Sequence, residues 1–230
     1  MRILITVFCL IFASALSAEE VRRQMSVSAV GTVSAEPDMA RIQIGVQSVG
    51  ITAAEVLDAN SAKMQNILEL LSAEGVADKD VQTTQFNISP QWERRKNNAP
   101  EVPPKIIGYV VNNSVNVRVR DLPKLGAILD KVTGFGANAI GSIQFDVSNR
   151  AELMDQARVT AVKTAKARAE MLAEAAGVKL GDLLLLSEGH ASQPRQVFAR
   201  AEASFAADAV PIAQGELDIR ATVTLTYEIE

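Results

Sequence analysis

The stretch from Asn149 to Ala176 limits the fold more than any other part of the chain. From Ala151 to Gly177 it reads AELMDQARVTAVKTAKARAEMLAEAAG, a long helix whose apolar positions are mostly alanine. A face of such small side chains lets a helix lie unusually close to a sheet. Asn149 is placed to cap the first turn by accepting an orphan amide, with Glu152 as its capping-box partner. Gly177 ends the helix, because glycine takes the left-handed conformation of a C′ residue. Leu153, Ala157, Ala161, Thr164 and Arg168 recur at helical spacing. Met154, Val162, Ala165, Ala169, Leu172 and Ala176 form an adjacent stripe. Lys163, Lys166, Glu170 and Glu174 then face solvent. Their mixed signs read as a solvated surface rather than an ion or nucleic-acid site.

Residues 1–18, MRILITVFCLIFASALSA, have the form of a secretory signal. Arg2 supplies the positive start, Ile3 to Phe12 is apolar, and small residues follow. The apolar run is about ten residues, too short to span a bilayer. Cleavage after Ala18 is expected, with Ala13-Ser14-Ala15 the cleaner small-x-small match. Cys9, the one cysteine, lies inside that run, so the mature chain (19–230) is cysteine-free. That excludes disulfides, thiolate nucleophiles and cysteine-ligated metals. Disulfides are also unnecessary here, since a chain of this length buries roughly 70% of its surface on folding. Loss of Arg2 leaves 22 basic against 27 acidic residues, a balance opposed to general nucleic-acid binding.

Residues 24–35 and 39–49 alternate apolar and polar positions around the turn Glu36-Pro37-Asp38, and read as a hairpin. Thr52 and Glu55 form a second capping box. It opens a helix to about Glu74 that buries Val56, Met64, Ile67, Leu68 and Leu71, with Gly75 as its stop. Asn60 falls near that face, as a hydrogen-bonded core residue. Strands follow at Val81 to Trp92 and Lys105 to Arg120. The polar, proline-bearing loop 93–104 projects between them. A short helix from Leu122 to Val132 stops at Thr133-Gly134-Phe135-Gly136. Ile140 to Val147 is a strand leading into the alanine-rich helix. Leu183 to Ser187 is nearly continuous in apolar residues, as in a strand covered on both sides. Glu216 to Ile229 alternates. The order ββαββαβαββ indicates one α+β domain, with two long helices and one short one on a mixed, mostly antiparallel sheet. Strand, capped helix, Gly-Val and strand occur at 39–92 and again at 140–190, an echo that common βαβ grammar also explains.

Residues 189–215 differ in composition, being rich in Ala, Gln, Ser and Pro. Phe198, Ala201 and Phe205 are spaced as one helical stripe. The segment reads as a flexible arm, either docking on a neighbouring subunit or remaining a mobile loop.

Chemistry is sparse. His190 is the one histidine, no G-x-S-x-G elbow precedes it, and a histidine-rich zinc site is excluded by count. Gly134 and Gly136 follow a helix, so they form a helix stop rather than a phosphate loop. Asp78 and Asp80 are accounted for by turn chemistry, and no calcium-loop pattern occurs. Arg94, Arg95 and Lys96 make a basic triplet beside Trp92, either a contact for phosphate or anionic headgroups or a solvated hairpin tip. No cofactor is implied.

The residue pattern resembles the SIMPL-domain family, whose bacterial members include periplasmic immunogenic and oxidative-stress-defence proteins. The resemblance spans nearly the whole mature chain. It is carried by Gly31 with Pro37-Asp38-Met39-Ala40, by Gly75-Val76 with Asp80-Val81-Gln82-Thr83, and by Gly108-Tyr109 with Asn113 to Val119. It continues through Asp121-Leu122, Gly136-Ala137-Asn138-Ala139-Ile140, Ile143-Gln144-Phe145, Ala157-Arg158 through Ala169, Leu172-Ala173 and Gly177. Pro211-Ile212 and Gly215-Glu216 complete it. The resemblance implies a periplasmic or envelope location and brings no catalytic residues to carry over; association with the outer membrane is a further expectation. A thiol-based peroxide reduction is excluded, and methionines 25, 39, 64, 154 and 171 are the oxidisable residues left. The expectation is a non-enzymatic envelope protein that self-assembles and supports stress tolerance indirectly. Its candidate interaction surface is Trp92, Arg94, Arg95, Lys96, Phe198 and Phe205. The expected partners are further copies of the chain, an envelope protein or a membrane surface, and no nucleic acid. A carrier of a small apolar or anionic ligand and a hydrolase using His190 are the alternatives.

Overall fold

The computed structural model describes residues 23–93, 103–189, 195–197, 210 and 212–230. Its elements are β1 (Gln24–Ala35), β2 (Met39–Gly50), α1 (Ala53–Ala73), β3 (Val81–Trp92), β4 (Ile106–Val119), α2 (Leu125–Gly134), β5 (Ala139–Asp146), α3 (Arg150–Ala176), β6 (Leu180–Glu188), β7 (Arg195–Val197) and β8 (Glu216–Ile229). Short 3-10 turns precede β3 (Asp78–Asp80) and α2 (Leu122–Lys124). The chain is α+β and one domain, in the expected element order. The strands form two sheets rather than one, and every pairing is antiparallel. The first sheet runs β1-β8-β6, with β7 also on β8; the second runs β3-β4-β2-β5. The three-residue β7 lies within the predicted flexible arm.

β1 and β2 are not the expected hairpin. β1 pairs along its whole length with β8, and β2 pairs with β4 and β5. Glu36-Pro37-Asp38 therefore carries the chain from one sheet to the other. Side-chain chemistry holds that crossing in place. The Asp38 carboxylate accepts from the Ser148 backbone amide at 2.8 Å and from the Ser148 hydroxyl. The Asp38 amide donates to the Asp146 carbonyl at 3.2 Å, tying the first crossing to the one that leads from β5 into α3. Alternation alone predicts two strands and a turn, but not whether the strands pair with each other.

The first sheet is covered by α3. Its buried residues are Leu153, Met154, Ala157, Ala161, Ala165, Ala169 and Ala173. This is nearly a pure i, i+4 row, narrower than the expected pair of stripes. Thr164, Arg168, Leu172 and Ala176 lie outside it, exposed. The close approach is real. A Cβ built on Gly31 of β1 would stand 2.1 Å from the Ala157 carbonyl oxygen and 2.4 Å from the Ala161 nitrogen. Only glycine opposite alanine allows helix backbone to touch strand backbone in this way. Asn149 precedes the helix but makes no side-chain cap bond. Its dihedrals (φ −95, ψ 29) are not the extended ones from which an N-cap side chain reaches forward.

The second sheet is covered by α1 and α2, with large side chains. Ile42, Ile44, Val46, Val115, Val117 and Val119 face Met64, Ile67, Leu71, Leu125, Ile128 and Val132. Thr52 caps α1, accepting from the Glu55 amide at 3.3 Å. Asn60 is fully buried and donates to the Val46 carbonyl at 2.9 Å, as its position on that face requires. Leu68 is only partly buried. Both long helices end alike: Gly75 (φ +88) and Gly177 (φ +70) are left-handed. The Val76 amide returns to the Leu71 carbonyl and the Val178 amide to the Ala173 carbonyl, each at 3.0 Å. The sequence echo is thus a shared cap. The two units themselves differ, since β3 stays in the sheet that β2 came from, whereas α3 carries the chain from β5 to the other sheet.

Candidate functional site

Three surface areas, two apolar and one charged, hold unusual chemistry. One is apolar and sits on the first sheet. β6 pairs with β8 on one side, and no described strand pairs with its other side. Leu183, Leu184, Leu185 and Leu186 are 47, 38, 59 and 51% exposed. This overturns the expectation of a strand covered on both sides. The reason is the placement of α3, which packs over β1 and β8; Leu180 is the residue of β6 that joins that core. Arg158 of α3 reaches β6 only at its end, through an ion pair with Glu188 at 2.7 Å.

A second apolar area lies at the β3–β4 hairpin. The β2–β4 ladder ends at Gly50↔Tyr109, but the β3–β4 ladder continues to Trp92↔Ile106. The hairpin therefore projects beyond β2, as the length of its strands suggested. Trp92, Ile106 and Ile107 are exposed on it, and Phe86 is exposed further along β3. Of the sequence-predicted surface residues, Trp92 is thus an accessible side chain. Arg94, Arg95, Lys96, Phe198, Phe205 and His190 lie outside the described residues, as does the predicted leader at 1–18. The hairpin and the β6 edge belong to different sheets.

The third area is charged and was not legible as a site in the sequence. Asp80, whose side chain is 4% exposed, holds two arginines of β4 and its end. Arg120 donates to it through Nε at 2.8 Å and Nη2 at 2.9 Å, and Arg118 through Nη1 at 3.3 Å. The bond from Arg120 keeps the Asp80 carboxyl below the usual carboxylate range, against the opposing effect of burial. The same bond raises Arg120. Asp80 is therefore more than the turn residue its context suggested. The missed signal is Arg-x-Arg at the end of a strand antiparallel to one that opens after an aspartate. Alternation puts both arginines on one side of the strand.

Around this pair the surface is recessed. A cavity of about 370 Å³ is lined by Glu74, Val76, Lys79, Arg118, Arg120 and Lys124 among others. A recess of about 130 Å³ is lined by Arg41, Lys79, Asp80, Gln82, Asn116 and Arg118 with Val117. A comparable anchor occurs on the first sheet. Asp218 is lowered by Arg220 at 2.7 Å and, next, by the Ser34 hydroxyl at 2.8 Å.

Among the described residues no group of three or more His, Cys, Asp or Glu side chains is arranged to hold a metal. No described helix is long and apolar enough to cross a membrane. Met39, Met64 and Met154 are buried, whereas Met171 is 58% exposed.

Comparison with known proteins gives a consistent relationship. A 26 kDa periplasmic immunogenic protein of Brucella melitensis is 35% identical over 216 residues, covering 90% of this chain and 85% of the relative. An uncharacterized protein named YggE from Edwardsiella ictaluri is 28% identical over 171 residues, covering 74% of this chain and 70% of the relative. YggE of Escherichia coli K12 is 27% identical over 154 residues, covering 67% and 61%. Neither name denotes an enzymatic activity. The family model for SIMPL, described as a protein of unknown function (DUF541), matches residues 25–227. That span runs from the second residue of β1 into the last turns of the β8 ladder, so the chain belongs to the SIMPL family.

Proposed function

We propose that this protein is a non-enzymatic binding protein of the periplasm that self-assembles, with the open edge of β6 as an assembly surface. Residues 1–18 have the form of a secretory leader, and the Brucella relatives are named periplasmic. The observation that carries assembly is the exposure of four consecutive leucines on a strand whose other side no described strand pairs. An exposed apolar edge strand is a template for pairing with another chain unless charge or proline blocks it. From Leu183 to Leu186 β6 has neither. The arm bearing Phe198 and Phe205 is a second contact in this reading, laid on the neighbouring copy. Any part in stress tolerance is indirect. The mature chain has no thiol, and three of its five methionines are buried.

Light scattering on the mature protein across a wide concentration range tests this. The expected result is a discrete assembly, shifted toward monomer by Leu185→Lys and weakened by deletion of residues 196–208. A monodisperse monomer at every concentration contradicts it.

A further inference from the structure

We propose that the recess on the uncovered face of the second sheet binds a phosphate monoester group. The recess is built from three adjacent strands and the turn that opens β3. Arg41 of β2 and Arg118 of β4 are directly paired in register, as are Gln82 of β3 and Asn116 of β4. Lys79 completes the rim. Two like charges placed opposite each other across an antiparallel pair repel, and here each is offset by a carboxylate of its own. Asp146 engages Arg41 at 2.9 Å, and Asp80 engages Arg118 and Arg120 together. Lys79 has no ion-pair partner among the described residues. Asp78, its neighbour, lines neither cavity.

Charge and donors both point to a doubly charged oxyanion. The two recesses share Lys79, Asp80 and Arg118. Together they are lined by five basic side chains (Arg41, Lys79, Arg118, Arg120, Lys124) against three acidic ones (Glu74, Asp80, Asp121). Two of these have partners outside the recesses, Glu74 with Lys131 at 2.6 Å and Arg41 with Asp146 at 2.9 Å, which offset each other, and Asp121 is paired to Lys124 at 3.3 Å. A net excess of two cations therefore stands on a chain whose total charge is −4. A phosphate monoester carries about −1.5 to −2 at neutral pH and offers three acceptor oxygens. The Arg118 guanidinium spends one of its five donors on Asp80, and its buried Nε has no partner. Asp80 also lines the recess, but its charge is taken up by three hydrogen bonds from the two arginines. It acts as the positioning residue. Guanidiniums already held in place lose little freedom on closing around an oxyanion. The amides of Gln82 and Asn116 add neutral donors beside them.

The same group could arrive on a soluble ester or on a lipid headgroup, and two arms of one experiment separate these sources. Glycerol 3-phosphate is titrated calorimetrically into the mature protein at low salt. Phosphatidylcholine vesicles with and without phosphatidic acid are sedimented with it. The expected result is saturable binding in at least one arm, weakened about tenfold by Arg118→Gln or Lys79→Gln, the loss of one charge-assisted contact. Lys163→Gln, on the exposed face of α3, makes the same change in net charge and leaves binding intact. Lys79 has no ion-pair partner to lose among the described residues, so its variant keeps the test valid where Arg118→Gln fails to fold. Binding in the vesicle arm alone assigns the site to a lipid headgroup. No saturable binding in either arm, or equal weakening by Lys163→Gln, overturns the proposal. Neither outcome depends on the assembly state.

Discussion

The two sheets are covered in opposite ways. On the first, α3 lays a row of alanines against β1 and β8 so closely that Gly31 has no room for a side chain. On the second, α1 and α2 stand off on branched and long side chains that interdigitate with β2 and β4. At the first interface the helix brings its backbone close and contributes little side-chain volume, the large buried residues Leu217, Ile219 and Leu225 coming from β8. The second buries isoleucine, leucine and valine, and the hydrophobic effect scales with that area. The helix contact of the first half should therefore be intolerant of enlargement, and the helices of the second half of truncation. The narrow helix does not reach over Leu183–Leu186 of β6, which no other described element covers, and this links the packing of the first half to the proposed assembly.

The largest effect is expected from Gly31→Val. The atoms it meets are helix backbone and cannot swing aside, so α3 must lift from β1. The cost should exceed about 3 kcal/mol, the upper part of the range for overpacking. Urea unfolding measures it, and a variant as stable as the parent would mean that α3 does not sit at backbone distance. Ile67→Ala, in the fully buried centre of the second half, should cost about 2–5 kcal/mol. Ala161→Gly in α3 should cost only about 1 kcal/mol, the helix-propensity difference. If both truncations cost the same, the contrast between the halves is wrong.

Acid should act on both halves through one carboxylate each. Asp80 and Asp218 have folded pKa values below the ordinary aspartate value of about 3.9. Their contribution to stability is thus complete above that value. It is lost as the pH falls through the lowered folded pKa. Thermal midpoints recorded downward from pH 6 should begin to drop near pH 4, and the drop should be shallower in Asp80→Asn and in Asp218→Asn. An unchanged acid limb in both would remove the ion pairs from the account. A further effect, of modest size, concerns what the halves share. Gly75→Ala and Gly177→Ala meet no atom within 4 Å but force alanine to a positive φ. Each should cost about 1–2 kcal/mol, and by equal amounts. Unequal costs would show that the two caps are not equivalent.

Much of this architecture was legible in the residues. Helical spacing and caps locate α1 and α3, since Thr52, Gly75 and Gly177 act within a few residues of where they stand. The alanine composition of α3 foretells its close approach. Strand partners were less legible. Nothing local distinguishes a β1 that pairs with β2 from one that pairs with β8, nearly two hundred residues away. The leucines of β6 misled for a related reason. Continuous apolarity reports that a strand needs cover, but not whether its own chain provides it. The charged recess was hidden because Asp80, Arg118 and Arg41 come from three separate segments, joined only by sheet register.

The central claim is that a helix too narrow to cover its sheet leaves β6 for another copy. Hydrogen exchange of the β6 amides, compared between the concentrated mature protein and a Leu185→Lys monomer, tests it directly. The account predicts slow exchange along Leu183–Leu186 in the assembled protein and fast exchange in the variant, with β8 amides equally protected in both. Equal, rapid exchange of β6 in the two samples would contradict it.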